Sequence, residues 1–221
     1  TCRTEHALII CISDILGTDQ IDRLVRMLDQ QTFVDGRETA GWAATGVKEN
    51  QQVAGDSPDY AAMQAMVTEA LAANRFFAMA AMPRKMRPIL FSRYLPGMSY
   101  GLHVDNALMG DAPQTRIDLA FTLFLSDPAG YEGGELAIDE PAGTRTFKLS
   151  AGAAILYPAN TLHQVNTVIS GRRDVAVGWI QCLVRDPDKR RILFELENLR
   201  ATMFAETGKT AAFDTLSRNT S

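Results

Sequence analysis

The amino-acid sequence predicts a β core of sandwich or jelly-roll type with flanking helices, a mostly β fold. The first observation behind this is a change of texture at Pro88. Short runs rich in β-branched and aromatic residues follow at 89–95, 115–125, 135–138, 145–149, 153–156, 164–169 and 172–184. Turn signals separate them: Pro96-Gly97, Asp127-Pro128, Gly133-Gly134, Pro141-Ala142-Gly143, Ala151-Gly152 and Ser170-Gly171. Strands at this spacing, without helices between them, fit a sandwich or jelly roll and not alternating βαβ units. The second observation is a helical period at both ends of the chain.

Near the N-terminus, Thr18 is a candidate cap for a helix with Ile21, Leu24, Val25 and Leu28 at i, i+3, i+4 and i+7. A polar, Gly-bearing stretch at 35–55 follows. Ser57-Pro58 then reads as an N-cap with Pro at N1, opening a helix with Met63, Met66, Val67, Ala70 and Leu71 on one face. Beyond the β region, Asp186-Pro187 repeats the cap-then-Pro pattern ahead of Ile192, Leu193, Leu196 and Leu199. The expected organisation is a helical and substrate-wall region at 1–84, a core at 85–185 and a helical segment at 186–221.

Composition narrows the class. The 221 residues are 46% hydrophobic and 22% charged with a formal net charge of −4, as expected of a globular chain with no basic footprint for nucleic acid. Apolar runs such as 7–12 are too short to span a bilayer, so no membrane partner is expected. Three cysteines, Cys2, Cys11 and Cys182, form an odd set without CxxC spacing. That argues against a disulfide framework and for a reducing, cytoplasmic setting. A homo-oligomeric state is left open.

Only three histidines occur, so their places carry information. His103-Val104-Asp105 is an H-x-D at a probable strand end, where a period of two sends both side chains to one face. On its own this spacing is weak. His163 lies 58 residues beyond Asp105, past several β runs that a jelly roll can bring alongside. Two imidazoles and one carboxylate on one face of an octahedron leave three positions open, the arrangement of non-haem Fe(II) oxygenases.

Arg173 follows His163 by ten residues, across the Ser170-Gly171 turn signal. A hairpin there would return it onto the strand neighbouring His163. By alternation Arg173 shares a face with Val175, Val177 and Trp179, while Arg172 shares the other with Asp174, Ala176 and Gly178. An Arg on an apolar face is costly unless an anion meets it, and its planar fork suits a carboxylate. A protein carboxylate is the competing partner.

These residues, with Arg93-Tyr94, Tyr100, Thr122-Leu-Phe-Leu-Ser126, Gly133-Gly-Glu-Leu136, Leu156-Tyr-Pro-Ala-Asn-Thr-Leu-His163 and Trp179-Ile-Gln181, resemble the bacterial PKHD-type hydroxylases. That family is a prolyl/lysyl-hydroxylase-like branch of the Fe(II)/2-oxoglutarate-dependent dioxygenases. The resemblance runs over nearly the whole chain and implies a double-stranded β-helix (jelly-roll) core. It makes His103, Asp105 and His163 the ligands of Fe(II), and Arg173 the anchor of the 2-oxoglutarate C5 carboxylate. Tyr94 falls near where related prolyl hydroxylases place a Tyr beside the co-substrate, although it equally suits a core aromatic. A further Tyr expected on the strand after the H-x-D is Phe124 here, with Thr122 on the same face as a substitute.

The implied reaction consumes O2 and 2-oxoglutarate, releases succinate and CO2, and hydroxylates an unactivated C–H, with L-ascorbate as reductant. The substrate is expected to be an iron-acquisition-related small molecule or a protein residue. The stretch 40–52, with Trp42, Lys48 and Asn50, and the loop 107–114 are candidate substrate walls. A non-catalytic iron/2-oxoglutarate sensor and a cupin-like oxygenase working without 2-oxoglutarate are the alternatives.

Overall fold

A computed structural model describes residues 9–41 and 44–220, so Cys2, His6 and Trp42 lie outside the described residues. Two antiparallel sheets face each other. The larger has the order Ile10–Ile12, Ala154–Pro158, Leu119–Phe124, Arg173–Cys182, Leu90–Tyr94, Gln51–Val53, Phe33–Asp35, with Pro83–Met86 also paired to Arg173–Cys182. The smaller runs Gly143–Phe147, Leu136–Glu140, His163–Val165, Ser99–His103, Lys48–Glu49. Two ribbons complete the β structure: Tyr131–Gly133 with Val168–Gly171, and Leu108–Met109 with Thr115–Arg116.

The helices are α1 (Thr18–Leu28), α2 (Tyr60–Ala73), α3 (Arg75–Ala81), α4 (Pro187–Thr207) and α5 (Ala211–Thr220). Strand alternation divides the core in two. On one face of the larger sheet, Phe91, Phe121, Leu123, Leu156 and Ala176 pack against Leu24 and Leu28 of α1, Met63 and Leu71 of α2, and Phe77 of α3. The opposite face gives Tyr94, Ala120, Phe124, Ile155, Tyr157 and Val175 to a second cluster, closed by Leu136, Ile138 and Val165 of the smaller sheet. Gly178 makes room in the first layer: a Cβ there would lie 2.6 Å from the Phe121 ring.

Local expectations fare unevenly. Asp186 caps α4 as expected, its Oδ1 accepting from Lys189 N–H at 3.0 Å with Pro187 in the first turn. In α1 the cap is Gly17, not Thr18, and Gly17 N–H donates to Gln20 Oε1 at 3.0 Å. Likewise α2 begins after Asp59, leaving Ser57 and Pro58 in the preceding turn. The first third is also less helical than its periodicity suggests. Ile10–Ile12, Phe33–Asp35 and Gln51–Val53 join the larger sheet, and Lys48–Glu49 edges the smaller one.

The largest correction concerns the turn after His163. Val168–Gly171 pairs with Tyr131–Gly133, and the chain then crosses so that Arg173–Cys182 enters the larger sheet. His163 and Arg173 therefore belong to opposite sheets and not to one hairpin. Among the described residues no helix is long and apolar enough to cross a membrane.

Candidate active site

The smaller sheet sets two imidazoles side by side. His103 ends the strand Ser99–His103 and stands in register with His163, the first residue of His163–Val165. Their ring centroids are 4.2 Å apart. Each ring is fixed by the same local device, its Nδ1 lying against the carbonyl two residues earlier: Gly101 O at 2.8 Å for His103, Thr161 O at 2.9 Å for His163. A carbonyl only accepts, so Nδ1 carries the proton and Nε2 keeps a lone pair for a metal. Tyr100 stacks on His103 with centroids 3.7 Å apart, and Tyr157 meets His163 edge-on at 5.1 Å.

Asp105 lies past the end of the strand, so simple alternation does not place it. Its carboxylate accepts a hydrogen bond from the Trp179 side chain of the larger sheet. One donor atom each from His103, Asp105 and His163 falls within 4.8 Å of the others. Burial, the neighbouring His163 and Lys48 push the His103 imidazole down to about 4, leaving it neutral and able to ligate. Burial pushes the Asp105 carboxyl up, opposed by His163, Trp179 and Lys48. Two imidazoles beside a single carboxylate form the donor set that suits Fe(II).

This triad opens onto a cavity of about 510 Å³ between the sheets. At its other end Arg173 is 1% exposed, and its Nε and Nη1 have no hydrogen-bond partner among the described residues. Its guanidinium carbon is 4.9 Å from the centroid of the Tyr94 ring and 5.6 Å from that of Phe124. Tyr94 is the register partner of Arg173, and burial raises its phenol, opposed by Arg173 and Asn50. Thr122, 3% exposed, lines the cavity between Val177 and Ile155 and hydrogen-bonds Tyr157.

Sequence reasoning passed over Tyr131. Its buried hydroxyl makes no hydrogen bond of good geometry, and its ring and the Arg173 side chain both flank Gly134, where a Cβ would lie 3.0 Å from Arg173 Cδ and 3.1 Å from Tyr131 Cε2. Gly134 has φ +68°, a conformation that favours glycine. Two buried Arg173 donors without acceptors thus stand at one end of the cavity, with the Tyr131 phenol near the guanidinium but outside the cavity lining. That fits the distal carboxylate of a small dicarboxylic acid. Of the proposed walls, Lys48 and Asn50 line the cavity, as do Leu108, Met109, Gly110 and Gln114 from the 107–114 loop.

The jelly-roll core and this cavity define a class, the 2OG-Fe(II) oxygenase superfamily, whose family model matches residues 89–181. Solved structures agree on the fold. A prolyl hydroxylase of Trichoplax adhaerens in complex with a hypoxia inducible factor peptide fragment superposes with TM-score 0.58 at 12% identity, covering 84% of this chain and 86% of that one. A Pseudomonas putida prolyl-4-hydroxylase gives 0.54 at 20% identity, with 81% and 95% covered. A PKHD-type hydroxylase of Picosynechococcus sp. is 47% identical over 208 residues, 94% of each chain. The chain belongs to the PKHD-type hydroxylase family and is an oxygenase.

Proposed function

We propose that the chain binds Fe(II) through His103, Asp105 and His163 and uses 2-oxoglutarate to hydroxylate an unactivated C–H. The carrying observation is the pairing of two features in one cavity: a three-residue donor set at one end and the unpartnered Arg173 at the other. Fe(II) with 2-oxoglutarate and O2 supplies the oxidising chemistry, releasing succinate and CO2, and L-ascorbate serves as reductant. Arg173 holds the distal carboxylate of the co-substrate, with the Tyr131 hydroxyl beside it taking the place that the ring of Phe124 leaves without a donor. Tyr94 and Thr122 wall this end. The Gly101 and Thr161 carbonyls and the Trp179 side chain orient the three ligands, and the apolar packing of Leu136, Val165 and Val177 limits water.

The substrate is a small molecule or a peptidyl residue that enters between Lys48 and the 107–114 loop. Free Cys11 and buried Cys182, whose thiol burial pushes up to about 12, suit a reducing cytoplasm. The test is succinate formation. It should require both Fe(II) and 2-oxoglutarate and fall by at least about a thousandfold in His103→Ala and His163→Ala. Full activity in either variant would sink the ligand assignment.

A further inference from the structure

We propose that Lys48 anchors the substrate, and that the molecule oxidised carries a carboxylate bound by the Lys48 ammonium; the proposal rests on the iron-site reading above. Lys48 lies on the short strand Lys48–Glu49 and is only 5% exposed, yet it lines the cavity. Its Nζ sits 5.3 Å from the centroid of the Tyr100 ring, whose other neighbour is the His103 ring at 3.7 Å. The amine is therefore one aromatic ring away from the metal ligands.

A hydrogen-bond chain fixes it there. Lys48 Nζ donates to Thr39 Oγ1 at 2.9 Å, the Thr39 hydroxyl donates to Gln52 Oε1, and Gln52 Nε2 donates to Ser92 Oγ at 3.2 Å. An ammonium has three N–H donors and this chain takes one, so two are left for the cavity. Asp105 and Asp35 act on Lys48 only through space, and Asp35 is already engaged by Arg37. Burial lowers the amine to about 8, which keeps it largely protonated at neutral pH.

Charge balance then identifies the missing partner. Fe(II), the Asp105 carboxylate, the 2-oxoglutarate dianion and Arg173 together carry no net charge, and both imidazoles are neutral. Lys48 remains as a buried cation with nothing to offset it, a costly arrangement unless a ligand supplies the anion. One buried positive charge calls for a monoanion, and a carboxylate can accept both free N–H groups. Arg87, half-buried on the cavity lining and open to solvent, stands outside this buried balance; its guanidinium packs over Gly110, 2.6 Å from where a Cβ would stand. No carboxylate other than Asp105 lines the cavity among the described residues.

The test is thermal unfolding of the full chain with Zn2+ as an inert metal and saturating 2-oxoglutarate, so that Arg173 is occupied. The probes are benzoate, phenylacetate, hexanoate and N-acetylglycine, each beside its neutral primary amide, with affinity read from the ligand-dependent rise in Tm. The acids should bind at least about tenfold more tightly than their amides to the wild type. That preference should survive in Lys48→Arg and vanish in Lys48→Met, a substitution of similar length that a buried site accommodates. Acids binding no better than amides to the wild type, or a preference that persists in Lys48→Met, would overturn the proposal. So would a Lys48→Met variant that loses affinity for 2-oxoglutarate while its acid preference is intact. Failure of Zn2+ and 2-oxoglutarate themselves to raise Tm is a separate result, and overturns the iron-site reading together with what rests on it.

Discussion

Arg93 and Arg173 sit on the same pair of neighbouring strands, one register step apart, and have opposite fates. In that register Asp174 faces Arg93 and Tyr94 faces Arg173, so alternation sends one guanidinium to the helix side and the other into the cavity. Arg93 is fully engaged: its Nε and Nη2 meet Asp174 at 2.8 and 2.9 Å, and Nη2 also meets Asp29 at 2.9 Å. Asp29 in turn accepts from Arg172 at 2.7 Å, tying the end of α1 to the sheet. Arg173, more deeply buried, meets no carboxylate: the rings of Tyr94 and Phe124 and the phenols of Tyr94 and Tyr131 are what lies beside it. Cation–π contacts contribute roughly 0.5–2 kcal/mol, less than the several kcal/mol it costs to desolvate a guanidinium. A buried cation that the chain itself neutralises is a staple; one left short of an anion is a place for a ligand.

The comparison breaks most visibly at Asp174. Replacing it with Ala takes from Arg93 its two-point partner and from Arg172 an ion pair at 3.1 Å, leaving both to the half-exposed Asp29, at a cost of about 3 kcal/mol. Tm should fall by on the order of 10 °C, while 2-oxoglutarate affinity of the folded fraction changes little. Unchanged thermal stability would show that the Arg93–Asp174 pair is no staple. Arg173→Met should behave in the reverse way. Tm of the ligand-free protein should hold or rise, because an unpaired buried charge is removed. The 2-oxoglutarate affinity should drop about a hundredfold, close to 2.7 kcal/mol, in an anaerobic titration of the Fe(II)·2-oxoglutarate charge-transfer band. Wild-type affinity in this variant would remove Arg173 from the co-substrate site.

Much of this contrast could be read in the sequence, because strand alternation is local. The parity that separates Arg172 and Asp174 from Arg173, Val175 and Val177 survives in the folded sheet, and so do most of the β runs after Pro88. Long-range placement was less legible. Nothing between His163 and Arg173 signals a change of sheet, since Val168–Gly171 finds its partner in the distant Tyr131–Gly133. The strands Phe33–Asp35, Lys48–Glu49 and Gln51–Val53 are two or three residues long and partly polar, so only tertiary pairing makes them strands. Tyr131 stayed obscure for the same reason, and Lys48 was legible only as one polar residue of a candidate wall. A lysine or tyrosine becomes informative only once folding has buried it without an anion or acceptor to match it.

Tyr131 offers the smallest and most discriminating test of the pair. Tyr131→Phe removes one hydroxyl and keeps the ring, which lies under Lys148 Nζ at 4.1 Å from its centroid. Because that hydroxyl is buried without a hydrogen bond of good geometry, its loss should leave Tm unchanged or slightly higher. Affinity for 2-oxoglutarate should weaken by about three- to tenfold, the net scale of one ordinary hydrogen bond. Tyr131 and Arg173 both flank Gly134 and the phenol lies near the guanidinium, so their contributions should couple: in the Arg173→Met background the same substitution should cost less than it does alone. An equal cost in both backgrounds would mean that the phenol acts apart from Arg173, and the ligand-binding end of the comparison would then rest on the guanidinium alone.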